Sequence, residues 1–436
     1  MKRLLIMLAV FAFLGISGRS GAESVSSLVD KAKEQYDKGY YDQAMESAGK
    51  ALERDPKNLQ ALNIRGFCWF LKNKNDSALQ DFNRAIELSP KYGYSYYNRG
   101  QVYVAQGKYA LALEDFNRAY DLNVREWRLF MLRGACNFEQ GNYDQALKDL
   151  NTAAEMKSGE ARIFYYRGRA YQAKNKHELA LKDYDRAIKL LPTGAELFYY
   201  RGTAYYLLGK RDAALSDYNR AQELGFKQPS LGFARAMLDF DNGKYDAALA
   251  GANKTLEQSP NAADAIALRA KIYFAQKNYA GCIQDYSRLI ELDPKNGDHA
   301  YARGYCNFQA GQMDACLKDM NRALELNPKD FRAYYYRGMI AKQNGRMDAA
   351  VSDLTRASEL EPKLIEAFLE IGGIYFKNGD YEKAVGVLSK AIESNPQNAM
   401  LYNQRGLAYS TLGNTEKAEA DYKKAKQLEQ KQAGTK

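Results

Sequence analysis

An arginine followed by a glycine recurs along this chain at intervals of 34 residues. The motif FYYRG stands at residues 164–168 and again at 198–202, and variants of it end at Gly100, Gly134, Gly304, Gly338 and Gly406. A fixed period of this length predicts a stack of similar structural units, each stabilised by its neighbours, rather than two or three unrelated globular domains. The composition agrees, because a chain that is 46% hydrophobic and 12% aromatic is too apolar to be disordered.

The repeat has a regular internal punctuation. With the glycine at position 8, residues Val25 to Gln432 divide without insertion into twelve units of 34 residues. The units are 25–58, 59–92, 93–126, 127–160, 161–194, 195–228, 229–262, 263–296, 297–330, 331–364, 365–398 and 399–432. Position 15 is Gly or Asn except at Lys277, and all nine prolines lie at position 32 or position 1. Because Gly and Asn end helices and proline interrupts them, each unit is predicted to contain two helices.

The periodic apolar positions carry a resemblance to a known family. In most units position 4 is aromatic, 8 is Gly, 20 and 27 are Ala and 32 is Pro, and in half of them position 11 is Tyr and position 24 is aromatic. This pattern resembles the tetratricopeptide repeat. The resemblance implies an all-α fold, a right-handed α-solenoid (superhelix) of twelve antiparallel helix hairpins with a concave groove. The seventh unit departs most from the pattern, at Gly232 and Gly251 for example, so residues 229–262 are either a weakly packed joint or the product of sequence drift.

Position 7, where most tetratricopeptide repeats are expected to have Leu, is Arg in ten units. A charged side chain at a partly buried position needs a partner, and position 23 offers Asp in nine units. In the eleventh unit both charges are replaced together, by Ile371 and Val387, which favours pairing within a unit. The predicted structural ion pairs are Arg65–Asp81, Arg99–Asp115, Arg133–Asp149, Arg167–Asp183, Arg201–Asp217, Arg269–Asp285, Arg303–Asp319, Arg337–Asp353 and Arg405–Asp421. The alternative is an arginine ladder that binds phosphate or carboxylate ligands.

In the family geometry, positions 2, 5, 9, 12 and 13 of the first helix line the concave groove. Positions 5 and 12 of this chain are mostly aromatic, with charged residues between them. The candidate groove-binding residues are Tyr97, Tyr165, Arg169, Tyr199, Tyr206, Phe233, Phe240, Phe274, Tyr301, Phe308 and Tyr335. Two interpretations stay open: these side chains bind a ligand, or they pack between neighbouring units. The family's clamp for C-terminal carboxylates uses Lys and Asn at set positions, so the aromatic residues argue against that specificity.

The first 22 residues are typical of a secretory signal. Lys2 and Arg3 precede an apolar run from Leu4 to Ile16, and small residues lead to a predicted cleavage site after Ala22. The run is shorter than the ~20 residues that a membrane-spanning helix needs, although an uncleaved anchor is the alternative. We therefore expect an exported protein, periplasmic or extracellular, with no transmembrane anchoring after signal cleavage.

Cleavage at this site would leave a mildly basic chain. Without Lys2, Arg3 and Arg19 it has 60 basic and 53 acidic residues, a net charge of +7. These charges are spread through every repeat, whereas a nucleic-acid-binding protein would carry a basic stripe. We expect no nucleic-acid partner.

Catalytic and metal-binding motifs receive little support from the sequence. His177-Glu178 begins like a zinc-protease motif, but Leu181 stands where the second histidine is needed. No nucleophile elbow, dinucleotide fingerprint or phosphate loop occurs. We expect no enzyme activity, no metal site and no cofactor. The five cysteines are too scattered for a disulfide scaffold, and most are predicted to be small buried side chains.

Two functional hypotheses follow from these observations. The first is an exported scaffold that binds protein or peptide partners in the concave groove. The alternative is a periplasmic polysaccharide-export or glycan-handling module, whose groove aromatics stack on sugar rings. An enzyme built from scattered groove residues ranks third.

Overall fold

The computed structural model describes residues 23–433, so the predicted signal sequence lies outside the described residues. Over this range the chain forms 24 α-helices and no strands. The first helix of each repeat covers positions 1 to 13, and the second starts at position 17. The predicted all-α solenoid of antiparallel helix hairpins is confirmed for the described residues. None of the helices in this part of the chain is long and apolar enough to cross a membrane.

The chain divides into two compact bodies, with the boundary between Lys227 and Gln228. The N-terminal body contains α1 (Val25–Asp37), α2 (Tyr41–Arg54), α3 (Leu59–Leu71), α4 (Asn75–Leu88), α5 (Gly93–Ala105), α6 (Tyr109–Asp121), α7 (Trp127–Glu139), α8 (Tyr143–Met156), α9 (Ala161–Ala173), α10 (His177–Leu190), α11 (Ala195–Leu207) and α12 (Arg211–Glu223). The C-terminal body contains α13 (Pro229–Asp241), α14 (Tyr245–Gln258), α15 (Ala263–Ala275), α16 (Tyr279–Leu292), α17 (Gly297–Gln309), α18 (Met313–Leu326), α19 (Phe331–Gln343), α20 (Met347–Leu360), α21 (Ile365–Lys377), α22 (Tyr381–Ser394), α23 (Ala399–Thr411) and α24 (Thr415–Ala433).

Within each body the helices pack in chain order. Every helix contacts the next one, and the first helices of successive hairpins also contact one another. The odd-numbered helices therefore line up side by side, and we call their shared surface at positions 2, 5, 9, 12 and 13 the first-helix wall. The wall is described separately for each body.

Repeat position 8 is glycine because it lies against the large side chain at position 24. A Cβ added to Gly168 would lie 2.7 Å from Cε1 of Tyr184, a residue that is fully buried. The close approach lets the two helices of one hairpin pack with the ring between them. The helix stop at position 15 is also present in every hairpin. All twelve residues there have positive φ, including Lys277 at 59°.

The seventh hairpin is complete although its side chains are small. Gly251 of α14 faces Ala236 of α13, and a Cβ on Gly251 would lie 2.9 Å from the Cβ of Ala236. Small residues thus bring these two helices close together. The boundary between the two bodies falls at the start of this hairpin, and a role as a joint stays a prediction.

Cys282 and Cys306 form a disulfide that joins α16 to α17, with a Cα–Cα distance of 6.3 Å. They occupy position 20 of the eighth hairpin and position 10 of the ninth. Residues at the same two positions belong to one buried hydrophobic cluster between other pairs of hairpins. Examples are Ala112 with Cys136 and Cys316 with Ile340. Only between the eighth and ninth hairpins does the sequence place Cys at both. The thiols of the other cysteines, Cys68, Cys136 and Cys316, are free and buried.

Candidate functional site

The arginine at position 7 makes a bidentate ion pair with the aspartate at position 23 in nine hairpins. In each pair Nε and Nη2 donate to the two carboxylate oxygens at 2.5 to 3.0 Å. These are Arg65–Asp81, Arg99–Asp115, Arg133–Asp149, Arg167–Asp183, Arg201–Asp217, Arg269–Asp285, Arg303–Asp319, Arg337–Asp353 and Arg405–Asp421. The pairing is within one hairpin, and its fork-to-fork geometry fixes how the two helices are aligned.

Eight of these arginines make a third hydrogen bond to the preceding hairpin. Their Nη1 donates to the side-chain oxygen at position 25 of that hairpin, at 2.7 to 3.4 Å. The acceptors are Asn83, Asn117, Asn151, Asp185, Asn253, Ser287, Asn321 and Ser389. Each arginine therefore ties two hairpins together. This link was missed from the sequence, where its signal is the frequent Asn at position 25.

At these eight positions the arginine side chain is fully used in hydrogen bonds that hold the hairpins together. Hydrogen bonds with Asp217 and Asp185 raise the pKa of Arg201, so the guanidinium stays charged. All three nitrogens of such an arginine already have acceptors within the chain. The packing of these groups does not favour the alternative of a ladder that binds phosphate or carboxylate ligands.

The aromatic candidates on the first-helix wall are buried or half-buried. Tyr97 and Tyr165 are buried, at 5% and 6% exposed. The others, Arg169, Tyr199, Tyr206, Phe233, Phe240, Phe274, Tyr301, Phe308 and Tyr335, are half-buried. Several of the rings pack against a ring of the next hairpin, as Tyr165 does against Tyr200 and Phe308 against Tyr336. Packing between units is therefore part of what these residues do, and ligand binding stays a prediction.

In the N-terminal body the wall is centred on Arg169 of α9. Its guanidinium carbon lies 4.4 Å from the ring centre of Phe138, 4.9 Å from that of Tyr200 and 5.5 Å from that of Tyr165. Its Nη1 donates to Oε1 of Glu139 at 3.4 Å and to the Tyr165 hydroxyl at 3.3 Å.

A second carboxylate completes this group. The hydroxyl of Tyr165 donates to Oε1 of Glu196 on α11 at 2.7 Å. Burial raises the pKa of Tyr165, so the phenol keeps its proton and acts as the donor. We call the group Phe138, Glu139, Tyr165, Arg169, Glu196 and Tyr200 the Arg169 cluster; it joins the first helices α7, α9 and α11.

In the C-terminal body the wall is centred on Tyr305 of α17. Its ring stacks on Phe274 of α15 at 5.2 Å and on Tyr301 at 6.3 Å, and meets Tyr336 of α19 at 5.1 Å. Phe308 packs against Tyr336 at 5.0 Å. We call these five residues the Tyr305 cluster; all of them are half-buried.

The edge of the Tyr305 cluster is charged. Arg332 lies over the ring of Tyr301 at 4.2 Å, and its Nη2 donates to Asp298 at 2.5 Å and to Asp330 at 2.7 Å. Burial raises the pKa of Tyr301 to about 12. The surface thus combines aromatic rings, phenol hydroxyls and a paired guanidinium.

Three of these central residues were missed from the sequence. Tyr200 and Tyr336 are at position 6 and Tyr305 is at position 9, whereas the aromatic candidates were taken from positions 5 and 12. The signal was the second tyrosine of the repeated YYRG motif, which contacts rings of the preceding hairpin.

Models of the tetratricopeptide repeat match most of the chain. One model, described as TPR repeat, matches residues 70–107, 168–209 and 372–413. Three further models are described as tetratricopeptide repeat. The first of them matches residues 97–161 and 233–296, the second 25–58, 300–330 and 400–432, and the third 320–352. The chain belongs to the tetratricopeptide repeat family. Proteins of this family are interaction scaffolds, and this tetratricopeptide array is one by membership. Among curated proteins none shows a significant match to the chain.

Solved tetratricopeptide structures resemble parts or most of the array. YrrB, described as a TPR protein with an unusual peptide-binding site, is 22% identical over 46% of this chain and 99% of its own, with a TM-score of 0.39. Yeast Tom70 is 17% identical over 93% of this chain and 92% of its own, with a TM-score of 0.41. PilF of Pseudomonas aeruginosa is 16% identical over 49% and 97%, with a TM-score of 0.43. Since these TM-scores are below 0.5, the family models carry the assignment.

Proposed function

We propose that this tetratricopeptide array is an exported scaffold that binds a polypeptide partner on its first-helix wall. Its role is to hold the partner by rigid display, without chemistry. Among the described residues, no group of three His, Cys, Asp or Glu is placed to hold a metal ion. Each body presents a wall cluster of its own, the Arg169 cluster in the N-terminal body and the Tyr305 cluster in the C-terminal body.

The observation that carries this proposal is the incomplete hydrogen bonding of Arg169. Its side chain is only 21% exposed, and its two hydrogen bonds, at 3.3 and 3.4 Å, are long. Within the described residues, its Nε and Nη2 have no acceptor, whereas the same atoms of Arg167 donate to Asp183 at 2.8 and 2.6 Å. These two nitrogens are not among the fully buried polar atoms that lack a hydrogen bond, so they reach solvent, where an acceptor brought by a partner can replace water.

The charges around Arg169 select a neutral acceptor. Glu139 and Glu196 give the Arg169 cluster one more negative than positive charge, so a carboxylate would be repelled. A peptide group fits better, because its carbonyl accepts from Arg169 while its N–H donates to Glu139. This alternation of acceptor and donor favours a segment of polypeptide backbone between the aromatic side chains.

The geometry of the rings favours polypeptide over polysaccharide. A sugar ring stacks on an aromatic face. In the Tyr305 cluster the faces are already used, since Tyr301 and Tyr305 are stacked with 5° between their planes, and Phe274 and Tyr305 with 28°. This stacking leaves fewer ring faces free for a sugar. Glycan binding is the alternative result of the affinity-capture experiment described below.

Export is supported by two independent features. The first 22 residues have the pattern of a secretory signal, and Cys282 and Cys306 form a disulfide, a bond that persists in oxidising compartments. We propose a periplasmic or extracellular location. Mass spectrometry of the protein from its native source tests this directly: the expected chain begins at Glu23, and an intact Met1 start in a reduced, intracellular protein would contradict export.

The binding proposal is tested by affinity capture from the native envelope or medium. The mature array is compared with Arg169→Gln and with Arg220→Gln, a control in which the altered arginine is exposed and belongs to a second helix, α12. Captured material is analysed by mass spectrometry for proteins and for glycans. We expect a protein that is retained by Arg220→Gln and lost from a folded Arg169→Gln. Equal capture by all three forms, or capture of glycan alone, would overturn the proposal.

A further inference from the structure

The link between hairpins is incomplete at one arginine. Arg65 pairs with Asp81 at 2.9 and 2.7 Å, as the other eight arginines do with their aspartates. The residue at position 25 of its preceding hairpin is Gly49, which has no side chain to accept from Nη1. A Cβ on Gly49 would meet nothing within 4 Å. Among the described residues, Arg65 donates only to Asp81, and the Nη1 of Arg65 has no acceptor.

A cavity opens at this place between α2, α3 and α4. It has a volume of about 650 Å³ and is lined by Gly49 and Arg65, by the apolar Leu52 and Leu62, and by the polar Gln80 and Arg84. The side chain of Arg65 is 31% exposed, close to the 27% and 29% of Arg269 and Arg337, which have all three acceptors. We call this cavity the Gly49 cleft.

A related cavity of about 450 Å³ beside Arg269 provides an internal comparison. There Asn253 stands at position 25 and accepts from Nη1 of Arg269 at 3.0 Å. A cleft between hairpins is therefore a feature of the repeat, and an arginine without its third acceptor is the feature that distinguishes the Gly49 cleft.

The chain itself shows which chemical group fits the open position. At the eight complete links the acceptor is the side-chain oxygen of Asn in five, of Ser in two and of Asp in one. The Gly49 cleft is also lined by Glu53 and Glu87. These carboxylates disfavour a second anion, and Asn is the commonest neutral acceptor at the complete links, so a carboxamide is the best match.

We propose that the Gly49 cleft binds an Asn or Gln side chain of a partner polypeptide, whose amide oxygen accepts from Nη1 of Arg65. The site reproduces between two molecules the contact that Asn83 makes with Arg99 within the chain at 2.7 Å. Its residues on the first helix α3, Leu62 and Arg65, are at repeat positions 4 and 7, outside the first-helix wall. The site therefore does not depend on the function proposed for that wall.

The test uses N-acetyl-asparagine N-methylamide as the probe, with the alanine and aspartate analogues for comparison. The mature array is labelled with ¹⁵N-arginine, and its guanidinium signals are followed by NMR, with Arg65→Lys identifying the Arg65 signal. We expect the asparagine probe to give a saturable shift of the Arg65 signal, the aspartate probe a weaker one and the alanine probe none. The Arg99 signal is the internal control and should not move, because Asn83 already occupies the equivalent position.

Two substitutions test whether the missing acceptor itself defines the site. Gly49→Asn supplies that acceptor and should abolish the response to the probe, whereas Gly49→Ala leaves the acceptor absent and should retain it. Gly49→Ser, which copies the acceptor type of Ser287 and Ser389, replaces Gly49→Asn if the larger side chain impairs folding. The proposal is overturned if the alanine and asparagine probes act alike, if the aspartate probe binds more tightly, or if the filled variants respond like the parent.

Discussion

Arg133 and Asp149 form an ion pair that is almost fully removed from solvent. Nε and Nη2 of Arg133 donate to the carboxylate at 2.9 and 2.6 Å, and the two side chains are only 10% and 2% exposed. The guanidinium also lies 4.5 Å from the ring of Tyr120. In an environment of this kind each charge depends on the other, because either one alone would be buried without compensation.

Removing one partner of this pair should be far more costly than removing both. We expect Arg133→Ile to lower the free energy of unfolding by about 3 to 5 kcal/mol, because the charge of Asp149 is left buried. The double variant Arg133→Ile/Asp149→Val copies the apolar pair Ile371 and Val387 of the eleventh hairpin and should recover most of that loss. Urea unfolding of the three proteins measures both values. A double variant as unstable as the single one would show that the pair contributes more than mutual neutralisation.

Replacing the glycine at position 8 should destabilise the protein, because the side chain at position 24 leaves no room for a Cβ there. Gly168→Ala brings a Cβ to 2.7 Å from Tyr184, and we expect a loss of about 1 to 3 kcal/mol from overpacking. Gly373→Ala is the matched control, since it is also in a first helix but its Cβ would meet nothing within 4 Å. That change should stabilise α21 by up to about 1 kcal/mol. Equal effects of the two substitutions on thermal unfolding would contradict this packing.

The cysteines should react with a thiol reagent in two distinct groups. Burial raises the pKa of Cys68, Cys136 and Cys316 to about 12, so at pH 8 they are almost entirely protonated as well as inaccessible. We expect iodoacetamide to modify none of the cysteines in the folded mature protein and three after unfolding. The remaining two, Cys282 and Cys306, should react only after reduction. Labelling of five thiols without a reductant would rule out the disulfide.

The relation between positions 20 and 10 of successive hairpins predicts where a second disulfide can be introduced. Ala112 and Cys136 occupy the same repeat positions as Cys282 and Cys306 and share a buried cluster. Ala112→Cys should therefore pair with Cys136 and leave two free thiols in the unfolded, unreduced chain. Ala146→Cys is the control, because position 10 of the next hairpin is Ala170, and it should leave four. Four free thiols in the Ala112→Cys protein would show that the register does not bring these positions together.

Most of the fold could be predicted from the sequence because the repeat gives the same local signals many times. Three of these signals act within a single hairpin: glycine at position 8, a residue with positive φ at position 15 and proline at position 32. The helix packing and the helix ends that they determine can therefore be inferred from the sequence of one unit. The pairing of Arg133 with Asp149 could also be inferred, since Ile371 and Val387 lose both charges together.

Contacts between hairpins were harder to predict. The hydrogen bond from Arg99 to Asn83 and the packing of Tyr200 against Tyr165 depend on how far successive hairpins are displaced. The displacement between successive hairpins cannot be inferred from the spacing of residues within one unit. For the same reason the disulfide between Cys282 and Cys306 could not be inferred without the structure, although their repeat positions identify it afterwards.

Photo-crosslinking in the native cell shows whether the first-helix wall binds a polypeptide. A benzoylphenylalanine replaces Lys271, an exposed residue at position 9 of α15, or Leu292 at the end of the second helix α16, which is also exposed. We expect a crosslinked product from position 271 that protease digestion removes, and none from position 292. A product only from position 292, or one from position 271 that contains glycan and resists protease, would show that the wall does not bind a polypeptide.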